Sequence, residues 1–158
     1  MTRHSHQTVP TQRVDAAGVR FAYRRFGKSG GVPLVFNQHY IGTMDYWDPA
    51  VTDGLARDCE VILFNNTGVS SSSGEVPTTF EEMGANAVAF IKALGLTQVD
   101  VLGISIGGFV ASDQRCRSFA NTLPSAVPRP ARARSVISVP SLSRQSLHTP
   151  SPHGEQAE

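Results

Sequence analysis

The chain has 158 residues, enough for one ordinary domain, and a domain of this size buries roughly two thirds of its unfolded surface. Its formal net charge of +1 gives no overall bias toward nucleic acid or acidic surfaces, and Cys59 and Cys116, without CxxC spacing, make neither a disulfide framework nor a zinc site. Residues 1–7 lead into no apolar stretch of the signal-peptide kind, and no run approaches the roughly 20 apolar residues of a membrane span, so the expectation is a soluble, cytoplasmic protein without a cofactor.

In chain order, residues 1–11 are polar and read as a flexible N-terminus, with His4 and His6 solvated. Val19–Phe26 alternates and reads as a half-buried strand, with Gln12–Asp15 as its hairpin partner across Ala16-Ala17-Gly18. Pro33-Leu-Val-Phe-Asn37 is nearly continuous in apolar residues, the pattern of a buried parallel strand. Asp48-Pro49 is an N-cap and first-turn pair, and places Val51 and Leu55 on one helical face. Val61–Phe64 is a second buried strand, followed by a Gly/Ser/Asn-rich loop from Asn65 to Ser73.

Thr79-Phe-Glu-Glu82 matches a capping box. Phe80, Met83, Ala87, Phe90, Ile91 and Leu94 then repeat at spacings of 3 and 4, an amphipathic helix of about four turns that ends at Gly95. Met83, Phe90 and Ile91 are core in this reading, and Glu81 and Glu82 are helix-start carboxylates favoured by the dipole rather than an acid–base pair. Gln98–Leu102 is a short strand, and Gly103-Ile104-Ser105-Ile106-Gly107 follows it directly, leading into a helix. Strand, sharp turn and helix around G-x-S-x-G make a nucleophile elbow, with the serine raised and exposed on the turn. Strands alternating with helices argue an α/β fold with a parallel sheet.

Composition changes inside the predicted elbow helix. Residues 1–111 hold thirteen of the fourteen glycines and both lysines; residues 112–158 hold one glycine, six of the ten prolines and nine serines. The formal charge is −2 before the break and +3 after it. Domain boundaries fall in exposed linkers, not within helices. The expectation is a partial domain over 12–111 and a disordered Ser/Pro/Arg-rich tail over 112–158, read either as out-of-frame translation or as a genuine extension. Val136-Ile-Ser-Val139 is the one strand-like stretch there, and Arg129, Arg132 and Arg134 without aromatics make a weak nucleic-acid footprint.

Residues 13–111 resemble the N-terminal half of an α/β-hydrolase-fold protein, in the group of small esterases and cofactor-free haloperoxidase-like enzymes. Pro33–Gly42 resembles the third strand and its oxyanion loop, Tyr46-Trp47-Asp48-Pro49 the entry to the first helix, and Asn65–Ser72 the D-x-R-G-x-G-x-S loop. The resemblance implies acyl transfer on an ester or related carbonyl substrate. Ser105 would be the nucleophile, and the N–H groups of Tyr40 and Ile106 the oxyanion donors. One such donor is typically worth ~2.7–4 kcal/mol of transition-state stabilisation.

Three departures affect the loop. Asn65 stands where the family has Asp, Thr67 where it has Arg, and Ser70 where it has a glycine suited to φ > 0. Gln38 and His39 occupy the family's His-Gly pair, and His39, which precedes the serine, is read as shaping the turn rather than as a base. After Ser105 the acids are Asp113, Glu155 and Glu158 and the histidines His148 and His153; Ser105, Asp113 and His148 satisfy the triad order only formally. The triad acid and base are therefore expected to be missing, the chain to be truncated and inactive as written, and Val99, Val101 and Leu102 to lie on an uncovered sheet edge that drives self-association. The alternative is a non-catalytic remnant or interaction module with a basic tail.

Overall fold

The structure, a computed structural model, describes residues 4–112 and the backbone of 135–139. Strands β1 (Gln12–Ala16) and β2 (Val19–Gly27) form an antiparallel hairpin, with Ala16 paired to Val19. Strands β3 (Leu34–Asn37), β4 (Glu60–Phe64), β5 (Asp100–Ile104) and β6 (Ser135–Val139) complete a six-stranded sheet in the order β1-β2-β4-β3-β5-β6. β2 meets β4 antiparallel; the β4–β3, β3–β5 and β5–β6 pairs are parallel. Helices α1 (Pro49–Leu55), α2 (Phe80–Ala93) and α3 (106–112) make the crossovers or follow the elbow.

Alternation along the central strands builds two cores, one on each face of the sheet. Val35, Ile62, Phe64 and Phe21 pack with Met83, Ala87 and Phe90 of α2 and Val110 of α3. Leu34, Phe36, Val61 and Leu63 pack on the opposite side with Val9, Met44, Trp47 and Leu55. Thr79 caps α2 by accepting the Glu82 N–H at 3.2 Å. Gly95 ends it at φ +73, with the Leu96 N–H returned to the Ile91 carbonyl at 3.3 Å. Asp48 caps α1 through the Ala50 N–H at 2.8 Å.

Val51 is exposed, and Thr52 is the buried residue of α1. Three expectations are corrected. The elbow strand spans Asp100–Ile104 rather than 98–102, because Gly103 and Ile104 stay extended up to the turn. The outer edge of β5 is not open: β6 pairs with it in parallel, Leu102 opposite Val136 and Ile104 opposite Val139. The strand-like stretch near 136–139 therefore belongs to the sheet. Asp113, His148, His153, Glu155, Glu158 and the arginines at 129, 132 and 134 lie outside the described residues.

The third correction concerns the N-terminal segment. Val9 joins the second core, and His6 is buried at 3% exposure. The His6 Nδ1 and the Thr52 hydroxyl are hydrogen-bonded at 2.8 Å. Asp53 accepts the His6 backbone N–H at 2.7 Å. Burial, then the nearby Arg24 guanidinium, hold the His6 ring below the ordinary histidine value of 6.5. The unfolded chain therefore binds this proton more readily than the folded one. The stability carried by neutral His6 is complete above 6.5 and is lost as pH falls from there toward the lower folded value. Urea midpoints measured from about pH 7.5 down to about 5.5 are expected to fall for the wild type and to fall less for His6→Gln. Parallel curves for the two proteins would refute the assignment.

Candidate active site

The G-x-S-x-G stretch lies where β5 gives way to α3. Ser105 forms the turn between them, is exposed, and sits at φ +55, a left-handed conformation that costs a non-glycine residue about 1–2 kcal/mol. Surrounding contacts dictate both glycines. A Cβ on Gly103 would lie 2.2 Å from the Gly107 carbonyl oxygen, because the first turn of α3 folds back over the end of β5. A Cβ on Gly107 would lie 2.3 Å from the Asn37 carbonyl oxygen and 2.7 Å from that of Gln38. The elbow is therefore seated against the carboxyl end of β3, where the loop carrying Tyr40 begins. Ile106, the residue after the serine, is the first residue of α3.

That loop is held from two sides. The His39 carbonyl accepts the Gly42 N–H at 3.0 Å and the Asn66 side-chain amide at 3.3 Å. The His39 ring packs edge-on against Tyr46 at 5.2 Å, close enough to Gly42 that a Cβ there would lie 2.7 Å from it. Tyr40 and Ile41 are exposed at this end of the sheet. Phe80 and Phe109, also exposed, stack at 5.7 Å.

The loop after β4 shows how the departures at Asn65 and Ser70 are accommodated. Asn65 uses both ends of its amide: Oδ1 accepts the Met44 N–H at 2.8 Å and Nδ2 donates to Ser71 Oγ at 3.1 Å. Ser72 Oγ donates to the Asn65 carbonyl at 2.9 Å and accepts the Ala22 N–H at 3.0 Å. Neutral amide and hydroxyl bonds thus close this loop. Ser70 takes φ +51, the conformation expected of a glycine at its place. Ser70→Gly is expected to stabilise the fold by about 1 kcal/mol, read as a higher urea midpoint at unchanged m-value. A destabilised variant would show that the Ser70 side chain contributes more than its backbone costs.

The family profile described as alpha/beta hydrolase fold matches residues 32–145, most of the chain. The chain belongs to the alpha/beta hydrolase fold family. The match crosses the composition break after residue 111 and includes β6. A solved alpha/beta hydrolase fold protein from Chitinophaga pinensis is 46% identical over 68% of this chain and 39% of its own, with a TM-score of 0.66. Est816, described as an N-acyl homoserine lactone degrading enzyme, is 28% identical over 66% of this chain and 40% of its own, at a TM-score of 0.57. A Mycobacterium tuberculosis protein named as a non-heme bromoperoxidase, BpoC, is 31% identical over 84 residues, 52% of this chain. The matched segment spans only 32% of that relative's length.

Of the residues singled out from sequence, the hydrolase fold brings the Ser105 elbow and the start of the Tyr40 loop into contact through Gly107 and Asn37–Gln38. Among the described residues, no histidine ring is hydrogen-bonded to a carboxylate: His6 is engaged with Thr52, and His39 faces Tyr46. Asn66 was not singled out; its bonds reach back across the sequence to residues 39 and 40, and no local pattern signals them. No described helix is long and apolar enough to cross a membrane.

Proposed function

We propose that this chain carries the nucleophile half of a serine hydrolase acting on an ester or related carbonyl substrate. The observation that carries the proposal is Ser105, exposed at φ +55 between β5 and α3 beside the carboxyl end of β3. In this reading Ser105 Oγ attacks the carbonyl carbon. The oxygen gains negative charge as the C=O π bond opens, and the N–H groups of Ile106 and Tyr40 receive it. Collapse of the intermediate expels the leaving group and leaves an acyl ester on Ser105, which water hydrolyses. Similarity to Est816 supports this substrate class, since the lactone named in its description is a cyclic ester.

A histidine must take the Ser105 proton for this cycle to run, and a carboxylate must orient that histidine. Neither His6 nor His39 is placed with such a partner, and the histidines later in the chain are outside the described residues. The chain by itself is therefore proposed to leave Ser105 unactivated. Purified protein is expected to hydrolyse aryl acetates at a rate that Ser105→Ala and His148→Ala barely change. Robust turnover abolished by both substitutions would overturn the claim that acid and base are missing.

A further inference from the structure

We propose that Asn66 is a positioning residue: its side-chain amide fixes the orientation of the His39–Tyr40 peptide and so keeps the Tyr40 N–H available to a negatively charged oxygen. The inference rests on the reading of Ser105 and Tyr40 given under the proposed function. Asn66 Nδ2 donates to the His39 carbonyl at 3.3 Å, with a longer 3.5 Å approach to the Tyr40 carbonyl. The Gly42 N–H donates to the same His39 oxygen at 3.0 Å. A peptide unit is planar and trans, so its C=O and N–H point in opposite directions. Pinning the His39 carbonyl toward Asn66 and Gly42 therefore directs the Tyr40 N–H away from both. Among the described residues that N–H has no hydrogen-bond partner, in a turn whose carbonyl is bonded twice.

Asn66 is itself held from its backbone, whose carbonyl accepts the Val69 N–H at 3.1 Å, next to the doubly bonded Asn65. The loop after β4 thus sets the loop after β3. Without the Asn66 donor, only the Gly42 bond restrains the peptide. Rotation about its two flanking backbone torsions would then bring the His39 carbonyl to where the Tyr40 N–H was. An oxygen acceptor in that place repels a developing oxyanion.

The test uses the full chain, labelled with nitrogen-15, as wild type, Asn66→Ala, Asn66→Asp and Ser105→Ala. The readouts are the order parameter and residual dipolar coupling of the Tyr40 N–H. The wild type and Ser105→Ala are expected to share one Tyr40 coupling and an order parameter of ~0.85. Asn66→Ala is expected to drop it below ~0.6 while the couplings of β3, β4 and β5 stay as they were. Asn66→Asp keeps the size and removes the donor; it is expected to loosen Tyr40 in the same way, and it carries the test if Asn66→Ala does not fold. Unchanged Tyr40 values in the folded variants would overturn the proposal and leave the Ser105 reading intact. A chain completed by a relative's later strands that hydrolyses esters equally well without Ser105 would overturn the reading instead, whatever Tyr40 does.

Discussion

Gly107→Ala is expected to destabilise the fold by at least about 3 kcal/mol, and Gly103→Ala by a similar amount. At both positions the obstructing atoms are backbone: the Asn37 and Gln38 carbonyls at Gly107, and the Gly107 peptide at Gly103. No rotamer change can clear them, so accommodation means shifting β3 or unwinding the first turn of α3. Gly54 is the control. It lies in α1 with nothing within 4 Å of an added Cβ, so Gly54→Ala is expected to stabilise by about 0.5–1 kcal/mol. Denaturant unfolding of the three variants checks the ranking, and a tolerated Gly107→Ala would mean that the elbow does not sit against β3 as described.

The second large effect is catalytic. Residues 1–112, fused to the part of the Chitinophaga pinensis relative that follows the corresponding helix, are expected to hydrolyse activated aryl esters. Ser105→Ala in that fusion is expected to lower kcat on the order of 10⁴-fold or more, the scale seen when a nucleophile is removed from an assembled triad. KM should change far less, since the hydroxyl contributes little to ground-state binding. A folded fusion that binds substrate yet shows no Ser105-dependent turnover would refute the nucleophile assignment.

Features set by neighbours in sequence are legible in the sequence alone. Thr79 and Gly95 delimit α2 because caps act over three to five residues. The elbow was legible because a strand, two glycines and a serine are contiguous, although Gly103 read as turn and is the penultimate residue of β5. Features set by distant partners were not. His6 is buried by Thr52 and Asp53, neither of which marks the N-terminal segment as anything but polar. Thr52 faces inward in α1, its hydroxyl hydrogen-bonded with His6, a partner far away in sequence. β6 was visible as a short apolar stretch, but its partner β5 lies far back in the sequence and no local pattern links the two. The loop carrying Tyr40 was picked out by resemblance; its contact with Asn66 depends on two loops meeting in space.

The strand order also dictates when the elbow can form as the chain folds. The β1–β2 hairpin closes across two residues, Ala17 and Gly18, and a hairpin of this kind needs only microseconds. β3 waits for β4 on one side and, on the other, for β5, whose Asp100 must find Leu34 from far along the chain. Loop-closure entropy makes such distant pairings slow. Gly107 meets the end of β3 only once β3 and β5 have paired, so the contact that seats the Ser105 turn is expected to follow that pairing. The strained serine is thus expected to be a late product of assembly, absent from chains in which β3 and β5 have not yet paired.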